Sequence, residues 1–281
     1  MATIEYLQKL ATQVRRDIIR MITMAQSGHP GGALGAADFL VALYFEIMNH
    51  SPQNWDMEGK GQDVFFLSNG HISAAWYSVL ARAGYFPLDE LATFRKINSR
   101  LQGHPATAED LPGIRVASGS LGQGLSVAIG MALSKKLNND NSLVFSLHGD
   151  GELEEGQIWE AAMFAAAKNV DNLIATVDFN DQQIDGPVHK VLDLGSLKDK
   201  WCAFGWKVLE TDGNHMQQLL NTLKKAKELT GNGKPIMILM HTHMGQGVDF
   251  MLDDHKWHGK SPSEDQAQKA LEQLPETLGD F

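Results

Sequence analysis

Asp150 stands between Gly149 and Gly151, and Asn180 follows 30 residues later (180 − 150). A carboxylate at one strand end and an amide oxygen at the next can share one hard cation. Magnesium also accepts phosphate oxygens, so the pair suits a metal–diphosphate group. The glycines let the backbone approach an anion closely. A helix opening near Glu155 aims its positive end at the same place. Alone, Gly-Asp-Gly is a turn and Asn180 a cap. An apolar strand before each residue and a helix between them favour the cation reading. Of the 11 histidines, five flank a glycine: His29, His71, His104, His148 and His258. An imidazole beside so small a residue can project into a cleft and exchange a proton near neutral pH. His148, next to the Gly-Asp-Gly run, reads as structural. His241 and His243 alternate at a strand end but lack a third metal ligand. The acidic run from Glu152 to Glu155 reads as a solvated helix start.

The elements that must position these residues follow from periodicity. Residues 4–24 repeat Leu7, Leu10, Val14, Ile18 and Met21 at helical spacing. Arg15, Arg16 and Arg20 fall off that stripe and read as a solvated or partner-facing surface. Residues 27–32 break the helix. Helices are expected over 38–48, 74–83 and 88–96, and a short buried strand over 63–67. Residues 98–124 form a long, glycine-rich functional loop, whose end opens a small-residue helix. Strand and helix then alternate: strands over 143–147, 173–179, 206–210 and 235–241, helices over 156–167, 196–204, 216–229 and 263–274. Near-continuous apolar strands belong to a parallel sheet covered on both faces. The expected fold is a single doubly wound α/β domain over 1–281, its sheet mainly parallel with helices on both faces. Ligands bind such sheets beyond the strand carboxyl ends, where Asn69–His71, His148–Gly151, Asn180 and Thr242–Gly247 all fall.

A chain of 281 residues, 43% of them hydrophobic, can bury a core without staples. A formal net charge of −10 argues against nonspecific nucleic-acid binding. Cys202 is the one cysteine, so no intrachain disulfide forms, and an intracellular, cytoplasmic location fits. Its apolar neighbours suggest core packing. Neither a signal peptide nor an 18-residue apolar run stands out, so no membrane association is expected.

The run Gly149-Asp-Gly-Glu-Leu-Glu-Glu-Gly156 through Val177-Asp-Phe-Asn-Asp181 resembles the thiamine-diphosphate motif of transketolases. Ser27-Gly-His-Pro-Gly31, Leu67-Ser-Asn-Gly-His71, Gln102-Gly-His-Pro105, Gly119-Ser-Leu-Gly-Gln-Gly124 and Ile184-Asp-Gly186 extend the resemblance, in order, over nearly the whole chain. It implies the N-terminal, diphosphate-binding part of a transketolase. Thiamine diphosphate would be held through Mg²⁺ (or Ca²⁺ or Mn²⁺) by the Asp150 and Asn180 side chains and the Gln182 backbone carbonyl. The family often has Ile where Gln182 stands, a change that a backbone ligand tolerates. His71 and Gly151 would contact the diphosphate, and Gly119 and Leu121 the aminopyrimidine or its approach. His29, His104 and His258 would face the thiazolium and the substrate. Glu155 would relay charge at a subunit interface. The glutamate that activates the cofactor belongs, in the family, to a pyrimidine-binding domain that this chain lacks. The resemblance therefore implies a separate C-terminal subunit supplying it, two copies of each chain, and transfer of a two-carbon ketol unit between sugar phosphates. The chain's coherent last helix and short polar tail suggest a natural end. A deoxyxylulose-phosphate synthase or another thiamine enzyme's subunit shares the metal motif and stands as the alternative. A non-catalytic nucleotide- or phosphate-binding regulator is a further one, although no Gly-x-Gly-x-x-Gly or P-loop lysine supports it.

Overall fold

A computed structural model describes residues 2–281. The chain opens with α1 (Ile4–Ala25), α2 (Pro30–Gly35) and α3 (Ala37–Ala42). β1 (Val64–Leu67) and α4 (Ser73–Arg82) follow, and a long irregular stretch leads to α5 (Gln123–Leu137). Next come β2 (Val144–Gly149), α6 (Gly156–Ala167) and β3 (Leu173–Phe179). A small hairpin, β4 (Gln182–Gln183) with β5 (Gly186–Pro187), precedes α7 (Val188–Val191) and α8 (Leu197–Ala203). The remaining elements are β6 (Lys207–Asp212), α9 (Met216–Leu229), β7 (Ile236–His241) and α10 (Glu264–Gln273).

The main sheet has five strands in the order β1-β2-β3-β7-β6, every neighbouring pair parallel. Alternate side chains feed two separate cores. Phe66, Val144 and Val177 pack with α5, α6 and α8 on one face. Phe65, Leu147 and Ile238 pack with α1, α3, α4 and α9 on the other. Both faces are covered, so the central strands show apolar runs instead of alternation. β6, at the edge, is the polar exception and keeps Lys207, Glu210 and Asp212 in water. Right-handed crossovers explain the layering. The chain moves β2 to β3 through α6 and returns β6 to β7 through α9, so these helices lie on opposite faces.

α1 is the spine of one face. Thr3 caps it by accepting from the Tyr6 N–H, and its stripe of Leu7, Leu10, Val14 and Ile18 is wholly buried. Each such side chain stabilises the fold by about 1.5–3 kcal/mol relative to exposure. The arginines expected to be solvated are not. Arg15 is buried against Asp38 and donates to the Leu34 carbonyl at 3.0 Å. Arg16 grips Asp280 through two nitrogens, and Arg20 lies over the Phe281 ring at 4.7 Å. The charges off the apolar stripe meet later parts of the same chain, which periodicity cannot reveal. Cys202, expected in the core, is exposed on α8 because Trp201 takes the inward position there.

Residues 27–32 only partly break the helix. Pro30 starts α2 at the position where a missing N–H costs nothing, and Gly31, Gly32 and Gly35 are fully inside because packing needs small residues. The helix expected over 38–48 ends in a π-helical turn, Leu43–Ile47. The one expected over 88–96 is a 3₁₀ stretch, Leu88–Thr93.

Candidate functional site

β1 and β2 are neighbours whose continuations part: α4 covers one face, α6 the other. A crevice opens where adjacent strands diverge in this way. It holds a cavity of about 260 Å³ lined from the ends of β1, β2 and β3, from the α1–α2 joint and from His258.

At the strand-end wall, Asp150 follows β2 and Asn180 follows β3. The register pairs Gly149 with Asp178, and the Asp181 N–H donates to the Asp150 carboxylate. Asp150 and Asn180 therefore line one cavity, together with Asp178 and Gln182. Asn180 Oδ1 accepts from the Gln182 N–H at 2.9 Å, and its Nδ2 donates to Asp178 at 3.0 Å. Asp150 and Asp178 are both buried. Burial first, and the Asp178 charge second, push Asp150 up to about 8, while burial pushes Asp178 up to about 6. Their hydrogen-bond partners are uncharged donors, the Gly151 and Asp181 N–H groups for Asp150 and the Thr242 and Asn180 side chains for Asp178. Two buried carboxylates beside an amide oxygen, without a protein counter-charge, form a hard-oxygen donor set that fits a divalent cation. Among the described residues no group of three or more His, Cys, Asp or Glu side chains could hold a metal. A site with one carboxylate, one amide and one backbone carbonyl must complete its shell from ligand oxygens and water.

At the opposite wall the histidines gather. The His29 ring centre lies 4.9 Å from that of His71, 6.2 Å from His104 and 5.8 Å from His258. His71 and His104 are 4.7 Å apart. Burial lowers all four pKa values, His29 to about 3 and His71 to about 4, and for His29, His71 and His104 neighbouring positive groups lower them further. Neutral imidazoles each offer one donor and one acceptor. His29 Nδ1 is buried with no protein partner. Arg95, which donates to Ser27 Oγ at 2.9 Å, is the cation that depresses three of these histidines.

The other expected residues are placed unequally. Leu121, Gly151, His71, His29 and His258 line the cavity, whereas His104 is exposed and lies outside its lining, touching the cluster only through its ring contacts. Gly119 instead lies against the His104 ring. A Cβ there would come within 2.4 Å of His104 Cδ2, and φ is +117°, so only glycine fits. Glu155 is exposed at the start of α6 and is not part of the lining. The acidic residue that matters structurally is Glu152, expected in solvent and found buried. Its carboxylate accepts from the Gly122 N–H at 2.9 Å, the Gly149 N–H at 3.1 Å and Ser68 Oγ, tying three loop ends together. The Gly151–Glu154 turn is 3₁₀, which rotates Glu152 inward while Glu155 faces out. Asp178, Glu152 and Arg95 were missed by the sequence reading, and Asn69 was placed at the crevice without a role. Asp178 and Glu152 lay inside quoted motifs, whereas Arg95 gave no signal. His241 and His243 pair with Glu210 and Asp253 and form no metal pair. His148 is buried and bonded to Ser146, as a structural residue should be.

The fold and crevice define a doubly wound protein whose ligand site crosses the carboxyl ends of three strands. Residues 7–276 match the family described as the thiamine diphosphate binding domain of transketolase, and the chain belongs to that family. It is 37% identical over 275 residues to an apulose-4-phosphate transketolase subunit of Phocaeicola vulgatus, covering 98% of this chain and 96% of that one. It is 38% identical to a 6-deoxy-6-sulfo-D-fructose transketolase subunit of a Clostridium species, covering 95% and 97%. The Campylobacter jejuni transketolase structure superposes with a TM-score of 0.88 at 32% identity. There the chain covers 97% of its own length but 43% of the other, so it corresponds to the N-terminal portion of a full transketolase. No helix among the described residues is long and apolar enough to cross a membrane.

Proposed function

We propose that this chain is the cofactor-diphosphate subunit of a two-chain transketolase, moving a two-carbon ketol unit from a ketose phosphate to an aldose phosphate. The observation that carries this reading is one cavity with Asp150 and Asn180 at its strand-end wall and His29, His71 and His258 at the other, with the His104 ring packed beside them. Asp150, Asn180 and the Gln182 carbonyl would hold Mg²⁺ together with the cofactor's diphosphate. His71 and the Gly151 N–H would bind phosphate oxygens, with Leu121 along the approach to the aminopyrimidine. Thiamine diphosphate, when bound, supplies the carbon nucleophile that accepts the two-carbon unit.

The chain's own residues bind, orient and move protons. His29, His104 and His258 are neutral at pH 7, so each can donate to a sugar oxygen through one nitrogen and accept through the other. Gly119 holds the His104 ring in place by its closeness. Relatives of nearly this chain's length are named as transketolase subunits, which supports a separate partner. That partner would supply the pyrimidine-binding domain and activating glutamate, as two copies of each chain in the cytoplasm, with Glu155 near the contact. Residues 1–281 would act as one domain.

Mixing the purified chain with thiamine diphosphate, Mg²⁺ and sugar phosphates, with and without the partner, tests the reading. Ketol transfer is expected only with both chains. Full turnover by this chain alone overturns it.

A further inference from the structure

The Asn69 side chain has no role in the function proposed above and no evident structural one. Asn69 directly follows Ser68 at the end of β1 and precedes the 3₁₀ turn Gly70–Ile72. An Asn at such a position ordinarily caps the turn with its side chain. Here it makes no cap bond. The residue is only 8% exposed, it lines the cavity, and Oδ1 is buried without a partner. Its Cβ and Nδ2 lie 3.9 Å from where a Cβ on Gly149 would be, beside the backbone that leads into Asp150. Of the two amide ends only the acceptor Oδ1 is shut away from solvent, whereas the donor Nδ2 makes no hydrogen bond among the described residues. Nδ2 is therefore the end free to donate to a ligand in the cavity. The cavity contains the buried Asp150 and Asp178, so an anionic ligand can enter only with a cation.

We infer that Asn69 is a further ligand-binding residue, its amide NH₂ donating to a phosphate oxygen of the metal-bound diphosphate. The inference rests on the function proposed above and adds a binding group from the end of β1 to those from β2 and β3.

The test is calorimetric titration of thiamine diphosphate with Mg²⁺ into the chain assembled with its partner, using the unmodified protein, Asn69→Ala and Asn69→Asp. Thermal melts of each isolated chain without ligand accompany the titrations. A hydrogen bond to a charged group gives about a tenfold loss of affinity for Asn69→Ala. Its ligand-free melting temperature should be unchanged or raised, because no protein bond is lost. Asn69→Asp, which is isosteric, should bind more weakly still, since its carboxylate meets the phosphates. Equal affinity in the Ala variant, or wild-type affinity in the Asp variant, overturns the inference and leaves the proposed function standing. An unmodified assembly that binds no thiamine diphosphate overturns the function itself.

Discussion

Acid should weaken this chain through the histidine wall, and by an amount that can be worked out. His29 and His71 titrate at about 3 and about 4 in the folded state, against 6.5 when unperturbed. A lowered value means that the unfolded chain takes up protons the folded chain refuses. Stability from this source is complete above the unfolded value and falls as pH drops from 6.5 towards the folded values. Between pH 7 and pH 5 the full linkage is about 1.9 kcal/mol for each residue. Both rings are partly open to solvent, so about half survives screening, or about 2 kcal/mol for the two together. Asp150 and Asp178 work in the opposite sense, since their raised values make the folded state the better proton binder. The comparison that isolates the histidines is thus between the unmodified chain and His29→Asn/His71→Asn, because the carboxylates are common to both. Urea unfolding of each ligand-free chain at pH 7 and pH 5 reads it. The stability of the double variant relative to the parent should improve by about 2 kcal/mol on acidification. Parallel pH profiles for the two proteins would refute the reasoning.

Three further outcomes follow from the site. Asp150→Asn should reduce metal-dependent thiamine diphosphate binding on the order of a hundredfold, about 3 kcal/mol, with the ligand-free fold intact by circular dichroism. Undiminished binding in a calorimetric titration would remove the carboxylate from the cation site. Glu152→Ala deprives the Gly122 and Gly149 N–H groups and Ser68 of their acceptor, and should destabilise the chain by about 3–5 kcal/mol in a urea melt. A loss below about 1 kcal/mol would mean water replaces it readily. Gly119→Ala drives a methyl into the His104 ring at a positive φ, so a cost of about 1–3 kcal/mol is expected with ketol transfer depressed in the assembled enzyme. Normal activity in that variant would sever Gly119 from the placement of His104.

Much of this was legible because parallel strands buried on both faces leave an unmistakable run of apolar residues. All five strands of the main sheet were found, within two residues of their observed ends, and with them the loops that face the crevice. Asp150 and Asn180 followed, since each sits at the end of such a run. Local signals failed where tertiary context overrode them. The glycines of α2 read as breakers, yet they are helical because α1, α4 and the Met244 segment close on them. Glu152 read as a surface charge because composition cannot say which way a 3₁₀ turn rotates. Arg15, Arg16 and Arg20 read as solvated because their partners, Asp38 and Asp280, lie far along the chain. The histidine cluster could be suspected from its glycine neighbours, but mutual spacing of 4.7 to 6.2 Å belongs to the fold alone.

The two walls of the cavity are made of unlike material. Asp150 and Asn180 extend directly from hydrogen-bonded strands, and a one-residue slip of either would reverse every side chain in its run. Their positions are as firm as the sheet. His29, His104 and His258 sit on connecting segments instead, held by packing and by small residues such as Gly119. Substitutions in those segments can reshape the histidine wall while the strand-end wall beneath it stays put. Under the proposed function, a lineage could thus change which carbohydrate it accepts many times over on an unaltered anchor.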